Sequence, residues 1–181
     1  PTSPYAEKVS SYLVEVYMNT RSYDAALKSI DRIAKPSAQI LEAKQKILFQ
    51  LGTQSFANAD FEQALKYLNQ SIAIGQYNRQ TKADAYYWCG ESYYRLNRMV
   101  EAARDFNAYL HLTTQPNNEM YALANYNLGY IAFHRKDYTQ ASNYFQKYIQ
   151  LEKGENTTAL ADAYNRIGDC HLHVRNFEEA K

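Results

Sequence analysis

The stretch Ala83–Leu96, ADAYYWCGESYYRL, places four tyrosines and the only tryptophan of the chain around a single glycine, Gly90. The flanking apolar residues have helical spacing, and the stretch lacks the residue clusters that mark turns. A glycine inside a helix costs about 1 kcal/mol relative to alanine. The sequence therefore predicts that Gly90 makes a tertiary contact that offsets this cost.

Glycine and alanine recur along the chain with the same period. The recurring glycines are Gly52, Gly90, Gly129 and Gly168, at intervals of 38, 39 and 39 residues. The recurring alanines are Ala26, Ala64, Ala102, Ala141 and Ala180, at intervals of 38, 38, 39 and 39. Two residue types with one period indicate an internal repeat. Small residues at both positions would allow two helices to approach closely.

Each period is predicted to contain a first helix with the glycine and a second helix with the alanine. The predicted first helices are 4–19, 37–57, 79–96, 117–135 and 156–174, and the second helices are 22–34, 60–74, 98–113, 138–153 and 177 to the end. Ser22 can cap the first of these second helices. The spacing of capping boxes supports the starts of three others, in the pairs Asp60 and Gln63, Asp137 and Gln140, and Asn176 and Glu179.

The offsets around the glycine resemble those of the tetratricopeptide repeat (TPR). Gly90 is followed by Tyr93, Met99, Ala102 and Phe106, and Gly129 by Ala132, Tyr138, Ala141 and Phe145. The resemblance covers nearly the whole chain. It implies an all-α fold, a right-handed superhelical solenoid of about five helix-turn-helix repeats. The expected single array spans 1–181, with units 4–34, 37–74, 79–113, 117–153 and 156–181. The last unit is incomplete, so we expect a fragment of a longer chain.

The repeat of 38 or 39 residues is longer than the usual 34 of the family. Long repeats with the stretch Tyr87–Glu91, YWCGE, resemble those of bacterial cell-envelope TPR proteins. This resemblance implies a periplasmic or cell-envelope location in preference to a cytoplasmic one.

Composition and motifs argue against several classes of function. The net charge is +1, and the charged residues form no basic stripe, so no nucleic-acid partner is expected. No apolar run approaches the roughly 18 residues of a membrane span, so no direct membrane insertion is expected. Cys170 and His173 share a helical face, but no second ligand cluster accompanies them. We therefore expect no metal, no cofactor and no enzymatic activity, and we interpret Cys89 and Cys170 as buried or half-buried free thiols.

The resemblance implies that the first helices form a concave groove that binds a protein or peptide. The groove-facing candidates are Phe49, Phe56, Tyr87, Glu91, Tyr94, Arg95, Tyr126, Tyr130, Phe133 and His134. The alternative is that these aromatic side chains only line helix interfaces. Asn127 and Arg166 match two positions of a clamp with which one sub-family captures a peptide carboxylate. Tyr87 and Glu91 depart from that clamp, and Glu91 would repel a carboxylate, so we expect no clamp.

A second function remains open from the sequence. The array could mediate self-association, or the assembly of a larger envelope protein, through its open C-terminal end. In that case the last first helix should expose part of its apolar face, including Ile167 and Leu172.

Overall fold

The computed structural model describes residues 4–19 and 21–179, and every regular element within these ranges is an α-helix. The helices are α1 (Pro4–Asn19), α2 (Tyr23–Asp31), α3 (Ala38–Ala57), α4 (Phe61–Ile74), α5 (Arg79–Arg95), α6 (Met99–Leu112), α7 (Glu119–His134), α8 (Tyr138–Leu151) and α9 (Thr157–Glu179). The all-α prediction is confirmed, and most helix ends lie within two residues of the predicted ones. Among the described residues, no helix combines the length and hydropathy needed to cross a bilayer.

The turn inside each helix pair repeats with the sequence. The residue before the second helix's N-cap is left-handed at Arg21, Ala59, Asn97 and Lys136, with φ between 56° and 62°. The next residue is the N-cap of the second helix, and in two units its side-chain carboxylate caps the helix. Asp60 Oδ1 accepts a bond from the Gln63 amide at 3.1 Å, and Asp137 Oδ1 accepts one from the Gln140 amide at 3.2 Å. Ser22 makes no such capping bond, so that prediction was wrong.

The predicted helix break near residue 175 is absent. α9 continues through Asn176 to Glu179, so a separate second helix from 177 with Asn176 as its cap was a wrong prediction. In the earlier helix pairs, the packing of the second helix on the first offsets the cost of the backbone hydrogen bonds that are lost at the turn. Within the described residues, no helix follows α9 and packs on it, so continuing the helix preserves those bonds. Ala180 and Lys181 lie outside the described residues.

The chain divides into two compact units, Pro1–Thr113 and Thr114–Lys181. In the first, each of α1–α5 packs on the helix that follows it, and α3 also contacts α5. In the second, α7 packs on α8 and α8 on α9. The core of the second unit consists of Ala122, Ala132, Ala141, Phe145, Tyr148, Ala163 and Cys170. A single continuous array over all five repeats stays a prediction.

Three of the repeating glycines are sites of close helix approach. A Cβ at Gly52 would lie 2.5 Å from Leu68 Cγ. A Cβ at Gly90 or Gly129 would lie 2.8 Å from a ring carbon of Phe106 or Phe145, respectively. These distances are too short for any side chain, so the predicted packing role of the glycines is confirmed. Gly168 differs, because no atom lies within 4 Å of the position of its Cβ.

Candidate functional site

The first unit carries a half-buried aromatic group where α3 contacts α5. The Phe56 ring centroid lies 4.9 Å from that of Trp88 and 5.3 Å from that of Phe61, both edge-to-face. The Arg95 guanidinium carbon lies 6.0 Å from the Phe56 centroid, within cation–π range. Phe49, about two helical turns before Phe56 on α3, is also half-buried. This region therefore offers apolar rings and an exposed cation together.

The structure corrects the prediction for Tyr87. Its side chain is only 4% exposed, and its ring packs 5.3 Å from Tyr109 and 5.7 Å from Phe106. Bulky residues of α6 thus enclose the ring, which belongs to the core and does not face a groove. The Tyr87 hydroxyl donates to Glu91 Oε1 at 3.0 Å. Tyr87 consequently positions Glu91, whose carboxylate is partly exposed.

Tyr94 is the half-buried tyrosine next to this carboxylate. Burial raises the pKa of Tyr94, and the negative charge of Glu91 raises it further, while Arg95 opposes the shift. The hydroxyl therefore stays protonated at neutral pH and can both donate and accept a hydrogen bond. We call Phe49, Phe56, Glu91, Tyr94 and Arg95 the α3/α5 face.

In the second unit, two predicted residues converge on a carboxylate of α9. Tyr126 and Tyr130 both donate to Asp162 Oδ2, and the Tyr126 bond is 2.8 Å long. Asp162 Oδ1 lies 3.6 Å from Arg166 Nε, and Arg166 Nη1 lies 2.9 Å from Asp169 Oδ2. Burial, followed by the bond to Asp162, raises the pKa of Tyr126 and of Tyr130. Both hydroxyls thus act as fixed donors.

Further aromatic side chains lie beside the polar group that Tyr126, Tyr130, Asp162 and Arg166 form. The Arg166 guanidinium carbon lies 5.7 Å from the Phe133 centroid. The His173 ring is stacked on Tyr138 at 4.4 Å with an interplanar angle of 8°. His134 is exposed, with its ring centroid 6.3 Å from that of Tyr130. The α7/α9 face consists of Tyr126, Tyr130, Phe133, His134, Asp162 and Arg166.

Sequence reasoning did not predict the hydrogen bonds of Asp162 to Tyr126 and Tyr130, and it considered Arg166 only as a clamp residue. A signal was present, because Asp162, Arg166, Asp169 and His173 follow one another at intervals of four, three and four residues, as one face of a helix. The register of α9 against α7, however, could not be predicted from the sequence. Arg166 is already paired with two carboxylates, which does not favour the capture of a third by a clamp.

Both cysteines are free and buried, as predicted. Burial raises the pKa of the Cys89 thiol, and the negative charge of Asp105 adds to this shift. Burial likewise raises the pKa of Cys170, with a contribution from Asp169. Both shifts disfavour the nucleophilic thiolate. Over the described part of the chain, no three His, Cys, Asp or Glu side chains are grouped so that they could hold a metal ion.

Comparison with known families identifies the type of repeat. Sequence models described as tetratricopeptide repeat match residues 49–119 and 122–154, which together are more than half of the chain. The chain belongs to the tetratricopeptide repeat family. No curated protein sequence matches it significantly.

Several solved structures share the TPR fold with this chain. BtubC (BKLC) from P. vanneervenii is 14% identical with a TM-score of 0.63, over 94% of this chain and 74% of that chain. YrrB, described as a TPR protein with an unusual peptide-binding site, is 16% identical with a TM-score of 0.61, over 92% and 77%. MamA from Desulfovibrio magneticus RS-1 is 17% identical with a TM-score of 0.56, over 96% and 94%. At these identities the likeness shows the fold alone.

Proposed function

We propose that this TPR chain is a non-catalytic interaction module that binds a peptide or protein segment through its first helices, in the concave groove expected of the family. The observation that carries the proposal is the pair of half-exposed aromatic faces, α3/α5 and α7/α9. TPR proteins are generally interaction modules, and YrrB is described as having a peptide-binding site. A bacterial cell-envelope location is part of the proposal and rests on the resemblance of the long repeats with the Tyr87–Glu91 stretch.

The contacts within each face support binding at low entropic cost. The Tyr126 and Tyr130 hydroxyls are held by Asp162, and the Phe56 ring is held between two other rings. Side chains that are already ordered lose little conformational freedom when a partner binds. Tyrosine also combines apolar area with a polar end, which suits interfaces.

The charges on both faces favour a particular kind of partner. Arg166 is paired with Asp162 and Asp169, and Glu91 accepts the Tyr87 hydroxyl. Neither face therefore presents a block of charge of one sign. The partner that fits is a segment with aromatic or aliphatic side chains and hydrogen-bonding groups, in contrast to a nucleic acid, which requires a basic surface.

Alanine at Tyr94 or Tyr126 is expected to weaken partner binding by about 2 kcal/mol, or roughly 30-fold in affinity, because central aromatic residues carry most of the energy of an interface. The partner is first captured from a lysate of the native host and identified, and its affinity is then measured by calorimetry. Val100→Ala is the matched control, because Val100 is an exposed residue on a second helix. Equal affinity of the Tyr94→Ala, Tyr126→Ala and parent proteins would remove these faces as the site.

Self-association is the second candidate function, and exposed apolar side chains at both ends of the chain favour it. Val9 and Tyr12 on α1 are exposed, as are Tyr164 and Leu172 on α9. The predicted exposure of Leu172 is thus confirmed, whereas Ile167 is half-buried against the core of the second unit. Exposed patches of this kind favour association between copies.

A further inference from the structure

The α3/α5 and α7/α9 faces have the same helix register, so their residues can be compared position by position. In the second, the Arg166 guanidinium carbon lies 5.7 Å from the ring centroid of Phe133. In the first, the ring centroids of Trp88 and Phe56 lie 4.9 Å apart. Arg166 and Trp88 both lie two residues before the glycine of their helix, and Phe133 and Phe56 both lie four residues after theirs. Equivalent positions are therefore in contact in both helix pairs.

Asp84 of α5 is the counterpart of Asp162 of α9. Both lie six residues before the glycine of their helix, and both are half-buried. Three side chains of the protein hold Asp162. Tyr126 and Tyr130 donate to its Oδ2, and Arg166 Nε lies 3.6 Å from its Oδ1. The negative charge of Asp162 is thus balanced by hydrogen bonds and by a cation within the chain.

The three partner groups are replaced at the corresponding positions around Asp84. Phe49 stands at the first position and has no hydroxyl. Thr53 stands at the second, and its hydroxyl donates to the Gln50 carbonyl oxygen at 3.1 Å. The uncharged Trp88 stands at the third. The place that a guanidinium fills in the α7/α9 face therefore has no cation of its own beside Asp84.

The contacts of Asp84 leave its charge largely uncompensated. Gln80 Nε2 donates to Asp84 Oδ1 at 2.7 Å, which is the one hydrogen bond of this carboxylate within the described ranges. Lys46, on the neighbouring helix α3, lies 3.4 Å from Glu42 Oε1 and is paired on its own helix. Burial raises the pKa of Asp84, and the bond from Gln80 opposes the shift. A cation placed beside the carboxylate would favour its charged form.

We propose that Asp84 binds a basic side chain, arginine or lysine, of the segment that occupies the α3/α5 face. The basic group takes the place beside Asp84 that Arg166 takes beside Asp162. Trp88 lies one helical turn after Asp84, and tryptophan is the ring that attracts cations most strongly. The role of Asp84 rests on the proposed function, because the basic side chain belongs to the bound segment.

Trp88 is the only tryptophan of the chain, so its indole N–H resonance reports on this place. Acetyl-leucyl-arginine amide is titrated into the isotope-labelled chain, and the shift of that resonance is followed by NMR. Acetyl-leucyl-citrulline amide is the matched control, because it has nearly the same shape without the charge. We expect saturable shifts, with the arginine compound binding about tenfold more tightly, because hydrogen bonds between charged groups are stronger than neutral ones.

Two variants locate this preference on the protein. Asp84→Asn should abolish it, leaving both compounds with the affinity of the citrulline compound. The asparagine keeps the size of the side chain and can still accept the bond from Gln80, and circular dichroism checks that the helical content is unchanged. Asp24→Asn removes the same charge from an exposed position on the second helix α2 and should keep the preference.

Several results of the titration would overturn the role of Asp84. These are equal affinity for the two compounds, no saturable shift with either, a preference that Asp84→Asn retains, and a preference that Asp24→Asn also removes.

Binding of the captured partner separates a failure at Asp84 from a failure of the proposed function. Weaker binding by both Asp84→Asn and Tyr94→Ala supports the role of Asp84. Weaker binding by Tyr94→Ala with unchanged binding by Asp84→Asn would overturn that role and leave the proposed function intact. Unchanged binding by Tyr94→Ala, Tyr126→Ala and Asp84→Asn would contradict the proposed function and the role of Asp84 with it.

Discussion

Tyr148→Ala is expected to lower the free energy of unfolding by about 3–5 kcal/mol, the usual cost of removing a large buried ring. Tyr148 is 0% exposed, and its ring centroid lies 4.9 Å from that of Tyr126. Its hydroxyl also donates to Glu152 Oε2 at 3.2 Å. Urea denaturation followed by circular dichroism measures the effect.

Two further variants separate the contributions at this position. Tyr148→Phe keeps the ring and removes only the hydrogen bond, so it should cost about 0.5–1.5 kcal/mol. Tyr164→Ala removes the same side chain from an exposed site on α9 and should change stability by less than about 0.5 kcal/mol. Equal denaturation midpoints for Tyr148→Ala and Tyr164→Ala would show that Tyr148 does not lie in the core.

Gly129→Leu is expected to lower the free energy of unfolding by about 1–3 kcal/mol or more, because a side chain there would overlap a packed ring. The Cβ alone would lie 2.8 Å from Phe145 Cε1. Phe145 is fully buried and in contact with Tyr126 and Tyr130, so it has little room to move away. Thermal and urea denaturation both measure the loss.

Gly168→Leu is the matched control for this experiment. It makes the same substitution at the same repeat position, but no atom lies within 4 Å of the Cβ position. Leucine has a higher helix propensity than glycine, so this variant should be as stable as the parent or more stable by up to about 1 kcal/mol. If both leucine variants were equally stable, the close helix approach at Gly129 would be refuted.

The helix pairs could be predicted because their determinants are local and periodic. The glycines and alanines mark the two helices of each pair, and carboxylates such as Asp60 and Asp137 mark where the second helix starts. The break near residue 175 was predicted from the same local signal and is absent. A turn there requires a packed second helix, and that condition is tertiary and cannot be derived from the Asn176–Glu179 spacing.

The candidate faces were only partly predictable for a similar reason. Tyr87 and Tyr94 lie seven residues apart on one helix, yet the first is enclosed by Phe106 and Tyr109 while the second is half-buried. Helical spacing predicts the side of the helix on which a residue lies. It does not predict how large the side chains of the neighbouring helix are. The hydrogen bonds of Asp162 to Tyr126 and Tyr130 were not predicted, because they depend on the register between α7 and α9, which lie in different repeats.

Hydrogen exchange of the chain with and without its captured partner tests the proposed function most directly, because it locates the contact without any substitution. The account predicts slower exchange on partner binding in the helices of the α3/α5 and α7/α9 faces, with little change in the second helices α4, α6 and α8. Amide protection reports local opening, so a bound segment should slow it where it lies. Protection confined to α4, α6 and α8 would contradict the proposal that the first helices form the binding surface.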